Sequence, residues 1–184
     1  SHRFLLLPRS RRPEDLESQL RLPKNFRELS KRSPFSWCHV YVTEMNCEMF
    51  EKAEGLEKEG KKEEAITAYT DFITQCCSCY EKEVEQTCEP KEKLALAYNN
   101  RGFLYYLKVE FKLAAQDYTH ALNYNPNMAV AYYNRGLIHY RLSRFSEAVV
   151  DLKEAVKWKP DLEPAQMCLQ QALKDLEQRK GVQQ

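Results

Sequence analysis

Long apolar runs are missing from this 184-residue sequence, although 43% of its residues are hydrophobic. A membrane-spanning helix needs about 18 to 20 consecutive apolar residues. The apolar run at residues 4–7 stops at Pro8, and it is also shorter than the stretch of about 7 to 15 residues in a secretory signal. These residues therefore predict no membrane association.

Glycine is scarce as well. The chain has five glycines, and none lies in the Gly-rich loop that cradles a phosphate. The four histidines follow no pattern typical of a nucleophilic or metal centre; they are His2, His39, His120 and His139. We therefore predict that the protein is not an enzyme, with no catalytic residue and no cofactor.

An excess of positive charge is also missing outside the amino-terminal region. Residues 1–36 hold nine Lys/Arg and four Asp/Glu, so they carry +5, and a total of +1 leaves −4 on the remaining chain. A domain that binds nucleic acid needs a basic face to neutralise phosphates. The acidic remainder therefore argues against a nucleic-acid partner.

The seven cysteines are an odd number without secretory signals, which is typical of a reducing intracellular protein. We expect a cytoplasmic location, with the nucleus as an alternative. Cys76 and Cys79 have the spacing of a zinc half-site, and Cys88 lies nearby. A structural zinc needs four ligands, and no second pair exists. We therefore predict no metal site and leave metal binding by these three cysteines as an open alternative.

Residues 1–45 contain four prolines among basic and polar residues. This composition predicts an arm that is disordered or loosely docked. Two alternatives remain open for the arm: contact with an acidic surface, and a role as a targeting peptide.

The chain repeats itself at a distance of 34 residues. Residues 97–106 read AYNNRGFLYY and residues 131–140 read AYYNRGLIHY, with six identities in ten positions. The same shift superimposes further small, aromatic and proline positions, which are Gly102/Gly136, Phe111/Phe145, Ala114/Ala148, Ala121/Ala155 and Pro126/Pro160. Each unit is predicted to form a helix, a turn and a second helix that ends before proline.

This period and residue order resemble the tetratricopeptide repeat. The resemblance implies an all-α solenoid with units at 46–79, 95–128 and 129–162, of which the first matches less well. An inserted loop or helix extension is expected at 80–94, a capping helix at 163–178 and a short tail at 179–184. Repetition has a physical reason, because one hairpin cannot bury its apolar face and stacked hairpins can.

In such arrays the first helices line a concave groove that binds a peptide or helix of a partner protein. Carried onto this sequence, the groove positions are Cys47, Phe50, Glu51, Glu54, Lys58, Leu96, Asn99, Asn100, Phe103, Tyr106, Leu107, Val130, Tyr133, Asn134, Leu137, Tyr140 and Arg141, with Met167 and Gln171 on the cap. The resemblance therefore implies a protein-interaction module or adaptor. Two alternatives remain: a scaffold subunit that packs through its outer faces, and a groove filled by the chain's own ends.

The family's Hsp70 and Hsp90 clamp grips an acidic carboxyl terminus with lysine, arginine and asparagine side chains. The corresponding residues here are Phe50, Glu54, Asn100, Val130 and Asn134. Because Glu54 would repel a carboxylate, the resemblance argues against a co-chaperone function.

Overall fold

The computed structural model describes residues 34–81 and 91–181 of the chain, with side chains at 46–77 and 91–181. Seven α-helices and no strand occur within these ranges. They are α1 (Pro34–Lys58), α2 (Lys62–Glu81), α3 (Lys91–Leu107), α4 (Phe111–Tyr124), α5 (Ala129–Arg141), α6 (Phe145–Trp158) and α7 (Glu163–Gly181). None of these seven helices combines the length and apolarity that a bilayer crossing requires.

The helices pack as three successive hairpins, α1–α2, α3–α4 and α5–α6, with α7 against the last hairpin. Helix α4 ends at Tyr124, and the next residue, Asn125, has an extended backbone before Pro126. Helix α6 ends at Trp158, two residues before Pro160. The predicted all-α solenoid of hairpins ended by proline is therefore confirmed.

Several predicted boundaries differ from the observed ones. Helix α1 begins at Pro34, so residues 34–45 are helical and not disordered, while loose docking of the arm stays a prediction. Proline suits the first turn of a helix, where its missing N–H has no intrahelical partner. Residues 1–33 lie outside the described ranges. Helices α2 and α3 occupy both ends of the predicted insertion at 80–94, and α7 extends past 178 to Gly181.

Small residues allow the helices of a hairpin to approach closely. A Cβ atom added at Gly102 would lie 3.0 Å from Tyr118 Cε1, and one at Gly136 would lie 3.0 Å from Leu152 Cγ. Tyr118 and Leu152 are themselves fully buried. The glycines that the two repeats share therefore make room for large core side chains on the partner helix.

Each hairpin turn ends its first helix in the same way. The residue in the left-handed conformation is Gly60, Val109 or Ser143. In the second turn, Glu110 N–H donates to Tyr105 O at 2.9 Å and Val109 N–H donates to Tyr106 O at 3.0 Å. This bonding defines a Schellman motif, which usually has glycine in the left-handed position. A β-branched valine is strained there, because its Cβ crowds the backbone.

An arginine bracket ties each repeat to the one before it. The Arg101 guanidinium on α3 donates two hydrogen bonds to Asp117 on α4, at 2.8 and 2.7 Å, and a third to Thr70 Oγ1 on α2 at 3.0 Å. Arg135 makes the same three bonds to Asp151 and Thr119 at the same distances. The hydrogen bonds that Arg135 donates to Asp151 raise the pKa of the guanidinium above its ordinary value.

The turn strain leads to a prediction at Val109. Replacing Val109 with glycine should raise the free energy of unfolding by about 1 kcal/mol, because glycine adopts positive φ without steric cost. Urea denaturation measures the difference. The reverse change at the first turn, Gly60→Val, should lower the free energy of unfolding by about 1–2 kcal/mol. A Val109→Gly variant less stable than the wild type would contradict the proposed strain.

The arginine bracket leads to a second prediction. Arg135→Ala leaves the carboxylate of Asp151, which is 6% exposed, without its cation, and should lower the free energy of unfolding by about 2–4 kcal/mol. Lys153→Ala, an exposed position on α6, removes the same charge and should change stability by less than about 0.5 kcal/mol. Equal urea midpoints for the two variants would show that the bracket does not stabilise the array.

Candidate functional site

The inner face of the array is formed by the first helices of the hairpins and by α7. Helix α3 contacts α5 directly, and α5 contacts α7. The second helices lie on the other side, and we call their side the outer face. The inner face is therefore a continuous surface across the repeats, and most of the predicted groove residues lie on it.

Exposed apolar side chains follow one another along the inner face. Leu96, Phe103 and Leu107 lie on α3 at helical spacing, Val130 lies on α5 and Met167 lies on α7. Phe103 is 40% exposed, and its ring stacks on Tyr106 with centroids 6.4 Å apart. We call these five exposed residues the apolar stripe. No described part of the chain covers it.

The amides of the inner face bond to one another. Asn134 donates to Asn99 Oδ1 at 3.3 Å, Asn99 donates to Asn100 Oδ1 at 3.3 Å, and Asn100 donates to Tyr69 Oη at 3.1 Å. Tyr69 then donates to Glu57 Oε2 at 2.7 Å. We call this chain of side chains the amide relay. It connects α5, α3, α2 and α1.

The amide relay changes the interpretation of three predicted groove residues. Asn99 is 7% exposed, so its side chain has no free surface for a partner. Asn100 and Asn134 are half-buried, and each donates to a neighbouring side chain. The prediction that Asn99 faces the groove is wrong, because satisfying a buried amide requires partners inside the protein.

Phe50 is also wrongly predicted as a groove residue. It is 5% exposed and packs edge-to-face on Tyr69 and Phe72, with ring centroids 5.9 and 5.3 Å apart. Phe50 has the same repeat position as Asn99, which is also buried. This position therefore faces the interior in both of the first two repeats. Glu54, one turn further along α1, is half-buried.

The predicted groove tyrosines of α5 hold the capping helix. Tyr140 donates to Asp175 Oδ2 on α7 at 2.6 Å, and this bond raises the pKa of the Tyr140 hydroxyl. Tyr133 and Tyr140 both pack on the cluster formed by α6 and α7. These two side chains therefore have a structural role at the α5–α7 junction, whatever else they contact.

The remaining predicted residues of α3 and α5 lie beside the apolar stripe. Leu137 and Tyr106 are half-buried, and Arg141 is exposed. The Arg141 guanidinium lies 5.3 Å from the centre of the Tyr106 ring, a cation–π contact between α5 and α3. Arg141 is therefore the basic group at one end of the inner face.

Two functional residues were missed by sequence reasoning. Tyr69 has the repeat position of the core residue Tyr118, and only its hydroxyl reveals a second role. Glu57 has the repeat position of Tyr106 and Tyr140, and its departure from tyrosine gives no indication of its part in the amide relay. Both residues matter because they anchor the relay at α1 and α2.

The cysteine hypothesis is tested only in part. Cys76 is buried in the core of the first hairpin, where a thiol packs as a small apolar group. The side chains of Cys79 and Cys88 lie outside those that the structure describes. Within residues 46–77 and 91–181, no three His, Cys, Asp or Glu side chains converge as metal ligands would.

Comparison with known proteins agrees with this geometry. Residues 129–162, which form α5, α6 and the following turn, match the family model of the tetratricopeptide repeat. The TPR domain of Arabidopsis OM64 superposes with a TM-score of 0.60 and 24% identity, over 72% of this chain and 98% of that one.

Two further solved structures are similar. The second TPR domain of human RPAP3, in complex with HSP70 peptide SGPTIEEVD, gives a TM-score of 0.58 at 23% identity, over 71% of this chain and 97% of that one. The Sgt2 TPR domain from Aspergillus fumigatus gives 0.59 at 14% identity, over 74% and 82%. The fold is therefore an all-α tetratricopeptide repeat solenoid.

The amide relay leads to a prediction that separates bracing from binding. Asn99→Ala should lower the free energy of unfolding by about 1–3 kcal/mol, because two hydrogen bonds are lost and their partners stay partly buried. Asn123→Ala removes an exposed amide on α4 and should leave stability within about 0.5 kcal/mol. Chemical denaturation compares them. If Asn99→Ala were as stable as Asn123→Ala, the relay would not be a structural element.

Proposed function

We propose that this protein binds a peptide or helix of a partner protein along its inner face, as a non-enzymatic interaction module. The observation that carries this proposal is the apolar stripe, which presents side chains from α3, α5 and α7 on one surface. Monomeric proteins rarely leave a contiguous apolar patch uncovered unless it contacts another molecule. Aromatic anchors such as Phe103 often dominate the binding energy at such surfaces.

The partner's recognised surface should be mainly apolar. The amides that could bond to an extended backbone already donate within the amide relay. What remains accessible is the stripe, with Arg141 at one end and Glu54 on α1. An amphipathic helix that lays its apolar side along the inner face fits this distribution.

An acidic chaperone tail fits less well. The similar RPAP3 domain is bound to an HSP70 peptide that ends in Glu-Glu-Val-Asp. At the five clamp positions, this chain has Phe50 buried in the core, a carboxylate at Glu54, an apolar Val130 and the two engaged amides. No cation stands at these positions to meet the terminal carboxylates. A co-chaperone function therefore has little support from these residues.

A scaffold function is the second candidate. Exposed apolar residues also occur on the outer face, where Leu113 on α4 is 40% exposed and Val150 on α6 is 63% exposed. These two are single side chains on different helices, which is common on protein surfaces. The stripe instead presents five exposed apolar side chains from three inner helices, α3, α5 and α7, so we favour the inner face.

Substitution of the stripe tests the proposal. The double variant Phe103→Ser/Val130→Ser should lose bound partners about tenfold or more, because two apolar contacts are removed from the interface. Both residues are exposed, so the free energy of unfolding should change by less than about 1 kcal/mol. Affinity capture from cell extract followed by quantitative mass spectrometry measures the loss, and circular dichroism checks the fold.

The matched control is Leu113→Ser/Val150→Ser, which removes two exposed apolar side chains from the outer face. Partners lost only from the stripe variant support the inner face. Partners lost only from the control variant favour the scaffold function instead. Tyr133 and Tyr140 are unsuitable for this test, because they hold α7 in place.

A further inference from the structure

A cavity of about 850 Å³ lies on the outer face, between α4 and the end of α5. Its floor and walls are mainly apolar, formed by Val109, Phe111, Ala115, Ile138 and Leu142. Its rim carries basic and imidazole groups, which include Lys112, His120, His139 and Arg144. We call this cavity the outer cleft. It is separate from the apolar stripe and shares no residue with it.

The preceding junction, between α2 and α3, has different residues at the matching positions. Tyr105 stands at the position of His139, and Ile66 stands at that of Ala115. Both of these larger side chains pack on the core of the first repeats. The outer cleft therefore exists because two large side chains of one junction are replaced by smaller ones at the next.

The charges at the two junctions are reversed. Between α2 and α3, the Lys108 ammonium lies 2.9 Å from Glu63 Oε1 and 3.3 Å from Glu110 Oε1. The repeat places Leu142 at the position of Lys108, with Lys112 and Arg144 at those of the two glutamates. One junction thus has a cation between two carboxylates, and the other has an apolar side chain between two cations.

Two cations of the outer cleft have no internal counter-charge in the described part of the chain. Lys112 and Arg144 are exposed, and neither has a carboxylate within salt-bridge distance among the described residues. The carboxylate that lines the cleft, Glu110, is paired with Lys108. The Asp151 carboxylate behind the cleft is paired with Arg135. The rim is therefore positively charged and complementary to an anionic group.

Two further features of the cleft are typical of a binding site. Val109 keeps an apolar side chain 68% exposed at the cleft, in the left-handed conformation where glycine is unstrained. His139 Nδ1 is buried and has no hydrogen-bond partner among the described residues. Strained backbone and unsatisfied polar atoms are typical of sites that bind another molecule.

We propose that the outer cleft binds an acidic peptide segment of a partner protein, with an apolar side chain seated over Val109 and Leu142 and a carboxylate held between Lys112 and Arg144. The partner's carboxylate would lie between two cations, just as the Lys108 ammonium lies between two glutamates at the preceding junction. The apolar walls exclude water from the seated side chain, which strengthens the ion pairs at the rim. This site does not depend on the function proposed for the inner face, and it would give the protein a second binding surface.

The preceding junction supplies the test variant. The substitutions Lys112→Glu, Ala115→Ile, His139→Tyr and Leu142→Lys graft the residues found between α2 and α3 onto the outer cleft. They should fill the cavity and replace one of its two free cations, that of Lys112, with an internal Glu–Lys pair, while Arg144 stays unchanged. Because each residue already occupies the equivalent position in the same fold, the grafted protein is expected to keep its helical content by circular dichroism and its cooperative unfolding.

The probe is a phage-displayed library of random dodecapeptides, selected on the wild-type chain. Peptides that combine Asp or Glu with Leu, Phe or Trp should be recovered, and calorimetry should show that they bind the grafted variant at least about tenfold more weakly. A second variant, Lys112→Glu/Arg144→Glu, changes only exposed side chains and should weaken the same peptides similarly. The stripe variant Phe103→Ser/Val130→Ser should bind them as the wild type does.

Three results would overturn the proposal. The first is that no selected peptide distinguishes the wild type from the grafted variant. The second is that the peptides which do distinguish them lack acidic residues. The third is that the charge-reversed variant binds the peptides as tightly as the wild type, since ion pairs with Lys112 and Arg144 would then contribute nothing. Loss of cellular partners from the stripe variant concerns the inner face only, so it neither supports nor contradicts peptide binding in the outer cleft.

Discussion

The bracket of an arginine with an aspartate and a threonine sets the geometry on which both faces of the array depend. Each bracket joins three helices, because its arginine bonds to the second helix of its own repeat and to that of the repeat before. Arg101 and Arg135 make the same bonds with the same lengths, so the same three contacts hold both junctions. Recurring contacts between neighbouring units are what build a solenoid. The inner face and the outer junctions therefore both depend on them.

Much of this fold could be predicted from the sequence, and the reason is the repeat itself. Positions that recur every 34 residues are those where neighbouring units must fit, so Gly102, Gly136 and the prolines identify hairpins and their ends. The repeat comparison identified Arg101 and Arg135 as identical residues of the shared motif. It did not predict their hydrogen bonds, because each aspartate lies sixteen residues further along the chain. The start of α1 at Pro34 was missed, since proline is typical both of irregular arms and of the first turn of a helix.

The candidate sites were harder to predict, because a site depends on which side chains remain free. The periodic pattern placed Asn99 and Phe103 on the same side of α3, and it could not show that one is buried in the amide relay while the other is exposed. Phe50 matches a groove position by count, and only the structure shows that it packs inward on Tyr69 and Phe72. The outer cleft could not be predicted from the repeated positions, because it arises where His139 and Leu142 differ from their counterparts in the preceding repeat.

The capping helix gives the array a polarity. The next arginine of the series would stand at residue 169, thirty-four residues after Arg135, and the sequence has Leu169 there. Leu169 packs instead into the cluster shared by α6 and α7. Because each bracket arginine bonds to an aspartate on the second helix of its own repeat, a second helix packed on α7 would meet the apolar side chain of Leu169 in place of a guanidinium. The series of junctions thus changes at α7 from an ion pair to an apolar contact.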